Sequence, residues 1–193
     1  MNNIDFIKIE KNHSKLIETA KKHMKSITDF EHNISHMNDV VLYTKELLNS
    51  IKLEVNADVC IISAYWHDVG RIKVDEEHEK LSAEILKDEM KKLEYDDELI
   101  NKCYKAIENH KWNMNPKTAE GMVLKDADKL AWLGVGRWID CLNNNQNLDS
   151  IISLLPKLRD DILYFNESKK IYDRDIIELI KLLYNYKFGG NKY

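Results

Sequence analysis

Histidines and aspartates whose types and spacing suit metal chemistry recur through the middle of this chain. His67 and Asp68 stand side by side in AYWHDVGRI, the most apolar part of the sequence. A buried imidazole and carboxylate are costly unless something there pairs with them. His32 and His36 lie four residues apart and therefore share a helix face. The other candidates lie further along the chain and are His78, His110, Asp126 and Asp128.

These side chains indicate the kind of ion that they could bind. Imidazole nitrogens and carboxylate oxygens without a thiolate favour a borderline or hard divalent cation, such as manganese, iron, cobalt, nickel or magnesium. The candidates come from different predicted helices, and helical bundles build metal centres from inward-facing side chains on facing helices. A bound cation would explain why the His67-Asp68 doublet lies in an apolar stretch.

Taken singly, each candidate also has an ordinary structural interpretation. His36 could be a core or boundary histidine, and Asp68 could cap a local backbone group. Asp128 could pair with Lys125 or Lys129 on its own helix. Of the same candidates, His110 taken alone could be a favourable cation near a helix C-terminus. Their arrangement in one ordered pattern makes independent structural roles the weaker interpretation.

The remaining histidines and the tryptophans are assigned to other parts of the protein. His13 and His23 lie on a charged first helix and are predicted to be surface residues. The four tryptophans are predicted to be core residues and not a stacking platform: Trp66, Trp112, Trp132 and Trp138.

Composition limits the class of protein. The chain has 193 residues, of which 44% are hydrophobic and 32% charged, as expected for one globular domain spanning 1–193. A formal net charge of -4 does not favour binding to duplex nucleic acid. The three cysteines are far apart and form no CxxC pair, so they predict neither a disulfide framework nor a thiolate zinc site. Without an apolar signal or membrane-spanning segment, we expect a cytoplasmic protein.

Helical periodicity dominates the sequence and predicts an all-α bundle of about 8–10 helices. Asn56 and Thr118 are predicted helix caps, and Gly70 is expected to end the helix that carries the doublet in its last turn. The run NNNQN over 143–147 predicts a loop. The predicted helices cover about 3–24, 31–51, 56–70, 78–93, 97–111, 118–133 and 135–144, with two or three more in 148–193.

The ordered motifs resemble a known family. His36, the doublet in YWHDVG and Asp128 in KDADKL are similar to the H…HD…D signature of the HD-domain superfamily of metal-dependent phosphohydrolases. HNISHMNDV resembles the HDxxHxxRV segment of one subfamily, and HEKLSAEIL resembles its HExSAEI segment. IENHKW and DADKLAWLGVGR resemble its histidine before a loop and its DADxLDxxGxxGxxR segment. These segments cover most of residues 29–140, which we expect to form the core of the metal site.

The resemblance implies roles for particular residues. It implies one divalent metal held by four residues, which are His36, His67, Asp68 and Asp128. It also implies that His78 and His110 either hold a second metal bridged by Asp68 or meet the substrate phosphate. Asp68 would bind the metal and orient its water, while His78 or His110 would supply a proton to the leaving oxygen. Arg71 and Lys111, which adjoin these residues, are the candidate phosphate-binding cations.

The expected function is hydrolysis of a small phosphorylated metabolite, such as a nucleotide or a related phosphoester, by metal-activated water. No organic cofactor or membrane is expected, and a homodimer is compatible with the sequence. Asn33, Asp39 and Ala131 depart from the subfamily pattern, which keeps open a metal-retaining binding or regulatory module without turnover. A third interpretation is an oxygenase with a di-iron centre, which needs both extra histidines as ligands.

Overall fold

The computed structural model describes residues 4–29, 31–74, 76–143 and 152–188. These residues form helices and turns and contain no strand, which confirms the predicted all-α fold. None of the helices within these ranges combines the length and apolarity needed to cross a bilayer. The predicted loop over 143–147 lies, apart from Asn143, outside the described residues.

Ten α-helical segments and three other short helices are described along the chain. The α-helices are α1 (Phe6–Asn12), α2 (Ser14–Lys25), α3 (Ile34–Ser50), α4 (Ala57–Trp66), α5 (His78–Lys92), α6 (Asp97–Ile107), α7 (Ala119–Leu130), α8 (Val135–Asn143), α9 (Leu155–Lys157) and α10 (Asn166–Phe188). Two 3-10 helices cover Val69–Ile72 and Ala131–Leu133, and a π-helical turn covers Leu158–Ile162.

Helix α4 lies at the centre of the fold. Its residues from Val59 to Trp66 are all buried, and it packs against α2, α3, α6 and α7. Asn56 caps its N-terminus as predicted, because its side-chain oxygen accepts the Val59 N–H at 3.2 Å. Cys60 in this helix is a buried free thiol. The apolar run therefore forms the core helix whose C-terminal end delivers the HD doublet.

The N-terminal helix and its histidines differ from the prediction. The continuous helix over 3–24 is instead two helices, α1 and α2, separated at His13. His13 is buried, and its ring nitrogens lie 2.7 Å from Asp58 Oδ1 and 2.9 Å from the Tyr95 hydroxyl. The predicted surface position of His13 is therefore wrong, because the break in the helix turns its side chain toward two polar partners. His23 is half-buried beside Trp66.

Two helices end earlier than predicted, and both ends lie at the candidate site. Helix α4 stops at Trp66, so His67 and Asp68 lie in the turn that follows it and not in its last turn. Helix α6 stops at Ile107, so His110 lies in the loop beyond. Turns can aim consecutive side chains toward one point more easily than a continuing helix, which spreads them around its axis.

Gly70 allows the close approach of the turn after α4 to the start of α5. Its N–H donates a 2.8 Å hydrogen bond to Ser82 Oγ. A Cβ at this position would lie 2.3 Å from the His78 carbonyl oxygen and 2.8 Å from the Ser82 nitrogen. The absence of a side chain at Gly70 therefore lets the turn that carries His67 and Asp68 lie against the start of α5, which carries His78.

Asp126 ties the C-terminal helix to α7. Its carboxylate accepts hydrogen bonds from the backbone N–H groups of Tyr164 and Phe165 at 2.9 and 3.1 Å, and from Ser168 Oγ at 2.5 Å. Burial raises the pKa of Asp126 to about 6, although these hydrogen bonds act in the opposite direction. Asp126, the first aspartate of DADKL, therefore holds the C-terminal helix in place. Asp128, the second, points toward His36.

The close approach at Gly70 makes a specific stability prediction. Gly70→Ala should lower the free energy of unfolding by about 2–3 kcal/mol, because the added methyl group overlaps the backbone of α5. Urea denaturation of both proteins measures this difference. Gly136→Ala is the matched control: nothing lies within 4 Å of its added Cβ, so its stability should stay within about 1 kcal/mol of wild type. Equal stability of the two variants would contradict this interpretation.

Candidate metal centre

The four predicted ligands come together from three elements of the fold. His36 lies in the first turn of α3, His67 and Asp68 in the turn after α4, and Asp128 in the last turn of α7. All four side chains are buried, with at most 5% of their surface exposed. The packing of α3 against α4 and α7 thus assembles residues that are up to 92 positions apart in the chain.

Distances within this group suit a single small ion. His36 Nε2 lies 3.1 Å from Asp128 Oδ1, 3.4 Å from His67 Nε2 and 3.8 Å from Asp68 Oδ2. His67 Nε2 lies 3.6 Å from Asp68 Oδ2 and 4.0 Å from Asp128 Oδ1. Ligands about 2.0–2.2 Å from one cation must be separated by distances of this size.

The hydrogen bond on the far side of His67 decides what its Nε2 atom can do. His67 Nδ1 lies 2.9 Å from the Ala64 carbonyl oxygen, which can only accept a hydrogen bond. The proton of the neutral ring is therefore on Nδ1, and Nε2 carries a lone pair directed at the carboxylates. Burial lowers the pKa of His67 to about 4, although Asp68 and Asp128 act in the opposite direction, so the ring is neutral near pH 7.

A second set of side chains surrounds the other oxygen of Asp68. Asp68 Oδ1 lies 3.1 Å from His78 Nε2, 3.7 Å from His110 Nε2 and 3.1 Å from Arg71 Nε. His110 Nδ1 donates to the Ile107 carbonyl at 2.7 Å, so its neutral ring also presents an unprotonated Nε2 to the site. The two oxygens of Asp68 therefore face two different groups of histidines.

Two overlapping triads bring their ligand atoms within 4.8 Å of one another, and all members are buried. One consists of His36, His67 and Asp128, and the other of His67, Asp68 and His110. The structure thus brings together all six residues that the sequence assigned to metal binding or catalysis. Their roles as ligands remain a prediction.

Both aspartates are charged in this environment. Burial alone would raise the pKa of Asp68, but the cationic form of His67 and the Arg71 guanidinium outweigh burial and hold it well below its usual range.

Burial would likewise raise the pKa of Asp128, the other aspartate of the cluster. Lys129, His36 and His67 outweigh burial and hold the pKa of Asp128 well below its usual range. The site therefore presents two carboxylate anions and the neutral imidazole of His67, which is the protonation state that metal binding requires of these three residues.

Asp68, Asp128, His78 and His110 line a cavity of about 400 Å³, whereas the buried His36 and His67 are not among its lining residues. The rest of its wall combines cations with apolar side chains. The lining residues are His32, Asp68, Arg71, His78, His110, Lys111, Trp112, Asp128, Lys129, Trp132 and Leu154.

Both predicted phosphate-binding residues line this cavity, and each already has an anionic partner. Arg71 pairs with Asp68 as described, and Lys111 Nζ lies 3.5 Å from Glu79 Oε1. Lys129 is a third cation, buried and in contact with Asp128 Oδ2. The sequence suggested Lys129 only as an alternative partner for Asp128. Its position next to Asp128 in the sequence is the feature that could have indicated a place for Lys129 at the site.

Two further features of the cavity were missed or misassigned. Trp112 and Trp132 were predicted to be core residues, but both are half-buried and form its aromatic wall, with ring centroids 5.8 Å apart. That part of the tryptophan prediction is wrong; Trp66 and Trp138 are buried as expected. His32 was predicted to share a helix face with His36, which is wrong because α3 begins only at Ile34; His32 lies before the helix, lines the cavity, and has its Nδ1 2.6 Å from Asp29 Oδ2.

The departures from the subfamily pattern leave the cluster intact. Asn33 caps α3, since its side-chain oxygen accepts the N–H groups of Ser35 and His36 at 2.8 and 3.3 Å. Asparagine and aspartate cap helices about equally well, so this change preserves the turn that places His36. Asp39 is half-buried and Ala131 is buried, and neither lines the cavity.

Comparison with known proteins agrees with this arrangement. The HD domain family matches residues 33–133, which include every residue of the two sets around Asp68. The chain belongs to the HD domain family. The search of curated proteins found no sequence that matches this chain.

One crystal structure is similar over nearly the whole chain. It is that of a predicted HD superfamily hydrolase from an uncultured Thermotogales bacterium, with a TM-score of 0.70 and 16% sequence identity. The match covers 97% of this chain and 100% of that one. The shared fold therefore extends beyond the family segment, into the C-terminal helices that contact α7 and α8.

The convergence of unprotonated ligand atoms predicts metal-dependent stability. Manganese at about 100 times its Kd should raise the Tm of the wild-type protein by roughly 5–10 °C. Asp68→Asn should abolish this rise, because it removes the carboxylate that faces both sets, while far-UV circular dichroism stays unchanged. Thermal melts with and without manganese measure the effect.

Asp39→Asn is the matched control, since Asp39 is a half-buried carboxylate on α3 outside the cavity. This variant should respond to manganese as the wild type does. A wild-type Tm that does not depend on any divalent cation would contradict the assignment of the cluster.

Proposed function

We propose that this HD-domain protein is a metal-dependent phosphohydrolase that acts on a small phosphorylated metabolite. The observation that carries the proposal is the convergence of the unprotonated His67 Nε2 with the carboxylates of Asp68 and Asp128, which line a cavity with cationic walls. Lone pairs that face one another repel unless a cation lies between them. The cations on the wall favour a substrate that carries negative charge.

The donor set fits a divalent cation. His36, His67, Asp68 and Asp128 would hold it, and the absence of thiolates favours manganese, iron, cobalt, nickel or magnesium. Such an ion, when bound, lowers the pKa of its water and neutralises phosphoryl oxygens. The Ala64 carbonyl keeps His67 in the tautomer that can bind it, as carbonyl groups do in many metal sites.

His78 and His110 have the position required for a second role at the same site. Both lie near Asp68 Oδ1 and line the cavity. The hydrogen bond from His110 Nδ1 to Ile107 favours His110 as a ligand or a proton acceptor, because its neutral Nε2 has no proton to give. His78 is therefore the better candidate for the proton donor to the leaving oxygen. Asp68 can orient its ring, since Asp68 Oδ1 lies 3.1 Å from His78 Nε2.

Arg71, Lys111 and Lys129 would bind the phosphate oxygens from the open side. Lys129 is the strongest of the three candidates, since it is buried beside Asp128. Trp112 and Trp132 offer an aromatic surface to the part of the substrate that is not phosphate. Cationic side chains beside an aromatic surface support a nucleotide or a related phosphoester as substrate.

A di-iron oxygenase is the second candidate. It is favoured by the two histidines at Asp68 Oδ1, which would complete a second metal position bridged by that carboxylate. A binding module without turnover receives less support, because Asn33 retains the cap of α3 and neither Asp39 nor Ala131 lines the cavity. Iron content and colour of the purified protein distinguish the oxygenase from the phosphohydrolase.

Hydrolysis of phosphate esters tests the proposal. A panel of nucleoside monophosphates, sugar phosphates and a cyclic nucleotide, assayed with manganese, magnesium and cobalt, should reveal turnover that chelation abolishes and added metal restores. Released inorganic phosphate is the readout for the monoesters, and chromatography detects the product of the cyclic diester. Stoichiometric metal binding without turnover on the entire panel would favour the binding module.

His110 provides the sharpest mutational test of the second set. His110→Ala should lower turnover by roughly a hundredfold, the usual scale for losing a supporting ligand or an acid-base group. The first metal should stay bound, because its four ligands are untouched. Metal analysis, melting temperature and phosphate release on the one variant measure all three effects.

His23→Ala is the control, since His23 is half-buried on α2 and does not line the cavity. If His110 were only a cation at a helix end, its removal would cost at most about 1 kcal/mol of stability and leave turnover unchanged.

A further inference from the structure

The loop after His110 carries two residues of the cavity wall. We call residues 111–115 the tryptophan loop, because Trp112 forms part of the aromatic wall and Lys111 lies beside it. The loop belongs to neither α6 nor α7, and a backbone hydrogen bond within it runs from the Met114 N–H to the Lys111 carbonyl at 3.0 Å. The carbonyl groups of Trp112 and Met114 are bound by a side chain from outside the loop.

Lys125 supplies that side chain from α7. Its side chain is buried, with 2% of the residue exposed. Its Nζ donates hydrogen bonds to the carbonyl oxygens of Trp112 at 3.1 Å and of Met114 at 2.5 Å. A buried ammonium bonded to two backbone carbonyls is a fixed anchor, because both the charge and the carbonyls would otherwise be left unsatisfied.

Tyr164 holds the other end of the same loop. Its hydroxyl donates to Asn115 Oδ1 at 3.1 Å, and the Lys125 ammonium lies 5.6 Å from the centre of its ring. The Tyr164 backbone is in turn bonded to Asp126, the neighbour of Lys125. Two consecutive residues of α7 thus hold the tryptophan loop and the segment that faces it.

The ring of Trp112 is oriented by the cavity itself. It lies against Trp132 and 5.9 Å below Lys129 Nζ, and Lys129 also contacts Asp128. Helix α7 therefore carries the metal-site aspartate and the anchor of the aromatic wall one turn apart. By holding the loop, Lys125 helps to set the distance between Trp112 and the candidate metal site. A planar group that binds to Trp112 would lie at a distance from that site that depends on this anchor.

We infer that Lys125 is a positioning residue that holds Trp112 against the cavity and so determines how well the site binds substrates with a planar apolar group. This inference rests on the proposed function for its substrate, but the anchoring of the loop is independent of it. The hydrogen bonds that Lys125 Nζ makes go to the loop carbonyls and not to the candidate ligands, although its charge also acts on Asp128 one turn along α7. Its removal should therefore change substrate binding and leave the metal centre unchanged.

The experiment compares Lys125→Met with wild type in amide hydrogen exchange and in kinetics. Peptides that cover the tryptophan loop should exchange about tenfold faster or more in the variant, while those from α4 should not change. KM for phenyl phosphate should rise about fivefold to tenfold at nearly constant kcat, as expected when binding energy is lost uniformly. KM for methyl phosphate, which has no planar group, should change less than twofold.

Three variants make the test decisive. Lys105→Met is the control, since Lys105 is exposed on α6 and should leave exchange and kinetics unchanged. Lys125→Arg retains a donor and should restore at least part of the protection of the loop. Tyr164→Phe removes only the bond to Asn115 from a side chain that is 37% exposed, so it tests the loop even if Lys125→Met does not fold.

The outcomes separate this inference from the proposed function. Unchanged loop exchange in Lys125→Met, or in Tyr164→Phe where the first variant does not fold, would overturn the inference whatever the activity. Faster exchange with equal KM changes for both esters would overturn the role in specificity. A wild-type protein that hydrolyses neither ester would count against the proposed function on these probes, while the exchange data would still decide whether Lys125 anchors the loop.

Discussion

The central constraint in this protein is that hydrogen-bond acceptors face one another in a buried space. His67 cannot turn its Nε2 lone pair away, because its other nitrogen is committed to the Ala64 carbonyl. Asp68 and Asp128 are charged and buried nearby. Lys129 and Arg71 offset the carboxylate charge from one side, yet neither lies between the lone pairs. A cation at their meeting point would relieve the repulsion, and the surrounding helices keep those atoms in place.

The positions of several helix ends follow from this constraint. Helix α4 stops at Trp66, which places His67 and Asp68 in one turn, and Gly70 lets that turn approach the start of α5. Asn33 starts α3 so that His36 falls in its first turn. Helix α7 directs Asp126 toward the C-terminal helix and Asp128 toward the cluster. A helix that anchors the C-terminal segment with one aspartate and the metal centre with the next connects the packing of the bundle to the geometry of the site.

The sequence predicts the fold class, most helices and the members of the cluster, because each depends on local periodicity, capping or an ordered motif. It fails where distant contacts decide the outcome. His13 looked like a surface residue on a charged helix, but Asp58 and Tyr95 bury it. Trp112 and Trp132 looked like core residues, since no local pattern distinguishes a core tryptophan from one that lines a cavity. The sequence offered Lys129 and Lys125 only as possible partners of Asp128, because their contacts with the cavity and the loop depend on what α7 meets in space.

The claim on which the other conclusions depend is that the cluster binds a divalent cation. Elemental analysis of the protein, purified without chelators or an affinity tag that binds metal, tests this claim most directly. We expect close to one or two equivalents of a transition metal per chain, or the same stoichiometry of manganese, iron, cobalt, nickel or magnesium when the ion is added back after chelation. A protein that contains no metal and binds none of these ions when titrated would contradict the claim.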